Sequence, residues 1–180
     1  MARFPARFQL VLAANPCPCG NFAGRARACV CAPSLRQAYI AKLSGPLLDR
    51  IDIRLRLQSA NPAQVALARL GAKQVGRSSL EVRNRVTEAR ANTKARLTGT
   101  PWSTNAQIPG SYLRKQLRVA SEITAPLDRA VDSGALSMRG YDRCLRIAWS
   151  CADLDGRGSV SEQDIAVAVI LRGGDGVSSW

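Results

Sequence analysis

Apolar positions along the chain follow two different rhythms. Near the start, Phe8–Ala14 (FQLVLAA) is an almost unbroken apolar run, the pattern of a strand buried on both faces in the middle of a parallel sheet. Residues 51–57 alternate instead. Ile51, Ile53, Leu55 and Leu57 face one way and Asp52, Arg54 and Arg56 the other, which predicts a half-buried strand. Between them, Pro33 opens a predicted helix over Ser34–Leu43, stopped by Ser44-Gly45-Pro46, and Leu47–Arg50 reads as a short turn. From residue 78 onward the period is helical. Ser78-Ser79-Leu80-Glu81 is a capping-box signature, and the helix it opens runs to about Leu97. Val82, Val86 and Ala89 form its expected buried stripe, with Arg83, Arg90 and Lys94 on another face. After a Gly-, Pro-, Ser- and Asn-rich loop over Thr98–Pro109, helical patterns cover Gly110–Leu117, Ser121–Asp132, Ser137–Leu154 and Ser161–Leu171. In the last, Ser161 is the cap, Asp164 lies three residues on, and Val160 with Ile165 makes a hydrophobic staple. No internal repeat is present.

Two strands do not close a sheet, and a parallel sheet of two strands is not a stable object. The pattern therefore reads as the tail end of a larger α/β domain, an α/β remnant, followed by a complete all-helical module, and mostly helical overall. The expected divisions are 1–58, containing a cysteine loop at 15–32; a connector, 59–110, with a basic helix at 79–97; a helical module, 111–172; and a flexible tail, 173–180.

Charge sharpens this division. The formal net charge is +13, and residues 1–110 hold 17 Lys/Arg against 4 Asp/Glu, whereas residues 111–180 hold 9 of each. The first part has the composition of an anion-facing surface, the second that of an ordinary globular module. The excess of 22 Arg over 4 Lys also fits an arginine-rich codon bias, although bias alone leaves the asymmetry unexplained. No apolar run approaches the ~18 residues of a membrane span, and no cleavable signal pattern is present, so a cytoplasmic location without membrane contact is expected.

The chain has no histidine. Ser–His–Asp and Cys–His catalysis and every histidine metal ligand are thereby excluded, which leaves cysteine as the soft ligand. Cys17-Pro-Cys19 and Cys29-Val-Cys31 form C-x-C-x₉-C-x-C. Four thiolates from one loop can build a closed tetrahedral zinc site; free thiols and disulfide or redox chemistry are the other readings, with disulfides disfavoured in a reducing compartment. Such a metal would be structural, since four ligands leave no open position. Cys144 and Cys151 lie on one helix in a stripe with Tyr141, Ala148 and Ala152, as small core residues do. Asp153, Asp155, Gly158, Val160 and Asp164 mimic a calcium-loop spacing, but Arg157 stands where a ligand belongs and position 12 lacks glutamate, so the stretch reads as a helix–turn–helix corner.

Taken together, LVLAANPCPCG, CVCAPSLRQAYIAKLSGPLLDRIDI, VRNRVTEAR, NAQIPG and MRGYDRCLRIAWSCADLDG resemble the ComM/YifB-type, magnesium-chelatase-like AAA+ ATPases of bacteria. The likeness spans residues 4–172, with the motifs in the family's order. The family's G-x-x-x-x-G-K-[ST] phosphate loop and acidic Mg²⁺ strand are not in this sequence; both are expected upstream of Met1, and the chain by itself is expected to be inactive towards ATP. The resemblance implies a helical lid at 111–172, ATP with Mg²⁺ as cofactor, a hexameric ring of identical subunits, and action on DNA as in helicase-like branch migration during recombination.

The resemblance also implies residue roles. Asn15 matches the sensor-1 position, an uncharged amide at a strand tip beside the γ-phosphate and attacking water; outside the family an Asn before Pro16 reads as a turn residue. Arg50 matches the arginine finger, reaching the neighbouring subunit's ATP; its alternative is a surface pair with Asp49. Arg139 matches the sensor-2 arginine, contacting the ATP of its own subunit, with Arg143 and Arg146 as rivals; the alternative is a solvated helix face. A rival function is a non-enzymatic module that binds nucleic acid through a zinc knuckle and the basic helix.

Overall fold

The computed structural model describes residues 8–22, 29–55, 57, 63, 66 and 77–173. The chain divides into two compact units, residues 1–44 and 45–180. Most of residues 59–76 of the expected 59–110 connector, the 174–180 stretch of the expected tail and the middle of the cysteine loop lie outside the described residues.

In the first unit the described helix is α1, Pro33–Ile40, with Pro33 at its opening position, where the missing N–H costs nothing. The strand expected over Phe8–Ala14 is not formed. Phe8, Leu10, Val11 and Leu12 are 54–81% exposed. Strand backbone needs a partner ladder on each side, and no strand occurs among the described residues to supply one. The strand expected over 51–57 fails for the same reason: Ile53, Leu55 and Leu57 are exposed, and the two described backbone bonds there run from Ile51 N–H back to the Leu48 carbonyl and from Arg54 N–H to the Leu171 carbonyl, at a helix end. The described chain is thus mostly helical, and the α/β part of the expectation is not realised in it.

The second unit contains α2 (Gly45–Leu48), α3 (Ser79–Arg96), a 3₁₀ turn (Asn105–Gln107), α4 (Gly110–Lys115), α5 (Ser121–Asp132), α6 (Met138–Leu154) and α7 (Glu162–Leu171). Its centre is α6. Tyr141, Cys144, Leu145, Ala148, Trp149 and Ala152 recur at helical spacing and are all buried. Around them pack α7, α3, α4, the 3₁₀ turn and α5. Cys144 sits in this core as expected, and Cys151 is half-buried.

The caps predicted from sequence are present. Ser78 accepts from the Glu81 N–H while the Glu81 carboxylate accepts from the Ser78 N–H, and Ser161 with Asp164 does the same for α7. Val160 and Ile165 are buried beside that cap. Arg157 lies with its guanidinium 2.6 Å from both oxygens of Asp164 and 3.0 Å from Asp155. A cation thus occupies the corner that a calcium loop would offer to its ion. Burial alone would raise the Asp164 pKa, but Arg157 and the Ser161 donors outweigh it and hold the carboxyl below its usual range.

The buried stripe expected on α3 is displaced. Val82 and Val86 are exposed and Ala89 only half-buried, whereas Thr93 and Leu97 are buried. The helix meets α6 near its C-terminal end because the polar anchor is there. Asp153, 2% exposed, accepts from Thr93 Oγ1 (2.6 Å), Arg96 (2.6 Å) and Asn105 Nδ2 (2.8 Å). Asn92 donates to the Asp153 carbonyl, and the Arg96 guanidinium lies 4.2 Å from the Trp149 ring centre. Asp153→Ala is expected to destabilise this unit by about 3–5 kcal/mol, because it strands Arg96 and Asn105 without their acceptor. Urea or thermal unfolding followed by circular dichroism checks this; a loss below about 1 kcal/mol would contradict it.

Candidate functional sites: a four-cysteine centre and an arginine-rich face

Residues 17–20 form a tight knuckle. The Gly20 N–H donates to the Cys17 carbonyl at 3.0 Å, and Gly20 takes a φ of 76°, a conformation that favours glycine. The turn points Cys17 and Cys19 to one side, with their sulfurs 3.3 Å apart. The second pair approaches from just before α1, where Arg36 donates to the Cys31 carbonyl at 3.0 Å and lies 4.4 Å from the Phe22 ring centre. Cys29 Sγ is 3.6 Å from both Cys17 and Cys19, and all four sulfurs lie within 4.8 Å of one another. A disulfide needs about 2.05 Å, and all six cysteines are free. Tetrahedral zinc thiolates, at about 2.3 Å from the metal, lie about 3.8 Å apart, so the donor set fits such an ion. Cys17 is fully buried and the other three are half-buried.

The four thiols are not equivalent. The Asn21 N–H and the Cys17 thiol favour the Cys19 thiolate and bring its pKa down to about 6. Cys31 accepts from the Cys19 N–H, which favours its thiolate, but burial and the hydrogen bonds and charge of Cys19 and Cys29 prevail and raise it to about 11. Asn15 lies beside the knuckle, exposed, with its amide about as close to Gly20 as a side chain there would permit (3.7 Å from the position of a Cβ).

In the second unit, arginines gather around the segment after α2. Arg172, 6% exposed at the end of α7, donates to Asp49 Oδ1 (2.6 Å), the Ile51 carbonyl (3.0 Å) and the Asp49 carbonyl (3.3 Å). Arg143 bonds the Arg50 carbonyl and pairs with Asp52 at 2.9 Å. Arg54 donates to the Arg172 carbonyl, and its guanidinium lies against Gly173. Burial, then the neighbouring Arg172, lowers the Arg54 pKa. Arg50 and Arg139 are the exposed members. Arg50 donates to the Pro46 carbonyl at 2.8 Å, and Arg139 stands 3.9 Å from Asp49. Five arginines, three of them in ion pairs, thus gather around a segment that carries two carboxylates, Asp49 and Asp52, which leaves a net positive surface. Arg139 also occupies the first turn of α6, so the helix end adds to the attraction for an anion.

The residues suggested by sequence therefore separate. Arg146, a rival of Arg139, is committed to the Ile108 carbonyl through Nε (3.0 Å) and NH2 (2.8 Å). Arg143 is largely spent on the 50–52 segment. Arg139 keeps a side chain 61% exposed. The sequence reading missed Arg172 and Asp49 as a pair. A lone arginine at a helix C-terminus looks like a helix-dipole residue, and nothing in the order of residues ties it to a position 123 earlier.

Comparison with known proteins matches residues 1–65 to the family model described as magnesium chelatase, subunit ChlI, and residues 76–172 to magnesium chelatase, subunit ChlI C-terminal. The chain belongs to the magnesium-chelatase-like family. Its relatives place it with the YifB/ComM type. A protein of Mycobacterium tuberculosis described as uncharacterised is 43% identical over 172 residues, covering 96% of this chain and 33% of the relative. YifB of Escherichia coli is 33% identical over 169 residues, 94% of this chain and 31% of the relative. Competence protein ComM of Haemophilus influenzae is 30% identical over 170 residues, again 94% and 31%. The chain thus spans about a third of the length of the curated relatives it matches. Within the magnesium-chelatase-like match, Asn15, the four cysteines and Arg50 fall in the first family segment, and Arg139, Arg143 and Arg172 in the second.

The unequal thiols give a direct test of the cysteine geometry. In the reduced, metal-free chain at pH 7, Cys19 is mainly thiolate and Cys31 almost wholly protonated. Iodoacetamide is expected to label Cys19 at least about tenfold faster than Cys31, and Cys144, buried and raised to about 11, only on unfolding. Mass-spectrometric mapping reads the order; equal labelling of Cys19 and Cys31 would contradict the arrangement.

Proposed function

We propose that this chain supplies the C-terminal part of the core and the helical lid of an AAA+ ring ATPase, working with ATP and Mg²⁺. The observation that carries the reading is the arginine-rich face. Exposed Arg139 stands 3.9 Å from Asp49, and exposed Arg50, next to Asp49 in the chain, donates to the Pro46 carbonyl, on a surface with more positive charge than its own acids can neutralise. Such a face suits a polyphosphate. Arg139 would bind the nucleotide of its own subunit, and Arg50 would reach the neighbour's, stabilising charge that develops on the transferring phosphoryl group. Asn15 would orient the attacking water with its amide. The exposed apolar residues 8–12 and 53–57 are accounted for as strands that pair within a complete α/β core, making 1–58 its C-terminal part, 59–110 a connector and 111–172 the lid. A hexameric ring of identical subunits in the cytoplasm, acting on DNA, is consistent with the basic character of residues 1–110 and with the name of the relative ComM, a competence protein.

Cys17, Cys19, Cys29 and Cys31 would hold a structural Zn²⁺ in this reading. A four-thiolate shell is closed, so the ion would brace the loop beside Asn15 and take no part in hydrolysis. A second reading, a non-enzymatic nucleic-acid-binding module, is favoured by one observation: α3 leaves Arg83 and Arg90 exposed along most of its length.

Chain purified under reducing conditions is expected to carry about one Zn²⁺, lost in the Cys17→Ser variant. Elemental analysis finding no metal in the parent chain would refute the zinc assignment. The arginine roles are separated by mixing subunits of the complete ATPase. Rings mixed from Arg50→Ala subunits and phosphate-loop mutants should regain part of the ATPase activity, since an intact finger can meet an intact loop. Arg139→Ala mixed with the same loop mutant should regain none. Arg50→Ala alone should lower turnover by about 10³-fold with nucleotide binding nearly intact. Recovery in the Arg139 mixture and none in the Arg50 mixture would reverse the two assignments; full turnover by Arg50→Ala would refute the finger assignment, and a complete protein with no ATPase activity at all would favour the nucleic-acid module.

A further inference from the structure

The residues on either side of Arg50 bond to α2 carbonyls through the Asp49, Arg50 and Ile51 N–H groups, and their carbonyls and carboxylates are held by side chains of the lid helices. Arg172 fixes Asp49 by its side chain and carbonyl and Ile51 by its carbonyl. Arg143 fixes the Arg50 carbonyl and the Asp52 carboxylate. The Arg54 N–H reaches the Leu171 carbonyl at 2.6 Å, and its guanidinium reaches the next carbonyl, of Arg172. From Asp49 to Arg54, the backbone is therefore stitched to α6 and to the end of α7. Gly140 makes room for this: a Cβ there would lie 3.1 Å from Arg172 Nε and 2.5 Å from Leu136. Arg139, on the same turn of α6, faces Asp49 as well. One carboxylate is thus shared between a tightly bound, buried arginine and a loosely bound, exposed one.

We infer that Arg172 and Arg143 are positioning residues for Arg50: they make the 49–54 segment part of the lid, so that Arg50 moves with α6 when the lid moves. This rests on the reading of Arg50 and Arg139 given above. Its consequence is a link between two nucleotide sites. An anion that draws Arg139 away from Asp49 leaves Asp49 on Arg172, and any accompanying shift of α6 is carried through Arg143 and Arg172 to the backbone of Arg50. The occupancy of one site would then set the reach of the arginine presented to the next.

The first arm of the test uses the 180-residue chain. Hydrogen exchange of peptides covering 49–54 should accelerate at least about tenfold in Arg172→Gln and in Arg143→Gln, with α6 core amides 144–152 changing far less; Arg172→Lys should restore part of the protection. Because Arg172 is buried, Asp52→Asn serves as a milder variant, loosening the Arg143 contact from the exposed side. Unchanged exchange in all of these variants would overturn the inference. The second arm uses the complete ring ATPase. Arg143→Gln and Asp52→Asn should lower kcat about tenfold with KM for ATP within about twofold, and neither should lower it further in an Arg50→Ala background. Full additivity with Arg50→Ala would overturn the positioning role while leaving Arg50 as the finger. Unchanged kcat in Arg50→Ala alone would instead overturn the Arg50 reading, and this inference with it.

Discussion

A single buried carboxylate sets the architecture of the helical unit. Asp153 is almost without solvent, and a charge so placed survives only if it is paired and hydrogen-bonded, here by donors that converge on Oδ2. Thr93, Arg96 and Asn105 meet that demand from two elements distant in sequence. The consequence is that α3 and the 3₁₀ turn close onto the C-terminal end of α6, where they help to cover its apolar stripe. It also explains why α3 packs by its last turns and leaves its basic N-terminal two-thirds in solvent. Trp149, beneath the Arg96 guanidinium, joins this polar node to the hydrophobic core.

The opposite end of α6 uses charge in the reverse sense. There the arginines outnumber the acids, and the buried ones donate to carbonyls as much as to carboxylates. Carbonyl acceptors hold a guanidinium without neutralising it, so the face keeps its positive field while its geometry is fixed. In the proposed reading such a face would suit a phosphate, since donors held in place need little rearrangement when an anion arrives. The cysteine centre, in the other unit, applies the same principle to sulfur: the backbone N–H groups of Asn21 and Cys19 point at the sulfurs of Cys19 and Cys31.

Helices α1 and α3 to α7 were legible in the sequence because their signals are local. Pro33, the Ser78/Glu81 and Ser161/Asp164 boxes and the stripe Tyr141–Ala152 each act within a few residues. The cysteine cluster was legible as a set of four because the pairs lie close along one loop. The strands were not realised, because a strand is defined by its partner and the apolar run at Phe8–Ala14 carries no information about which partner is present. The α3 stripe was misplaced because periodicity marks a face but not how much of the helix is covered, and here a distant aspartate decides that. The Arg172–Asp49 clamp was invisible for the same reason: an arginine after an apolar helix and an aspartate before Arg50 are ordinary residues until the fold joins them.

The most direct measurement is a cryo-electron microscopy structure of the complete assembly holding a non-hydrolysable ATP analogue. The Arg50 guanidinium is expected within about 4 Å of the γ-phosphate bound to the adjacent subunit, and Arg139 at a similar distance from the phosphates of its own. A bound nucleotide with both arginines turned to solvent, or a particle that is not a ring, would contradict the central reading.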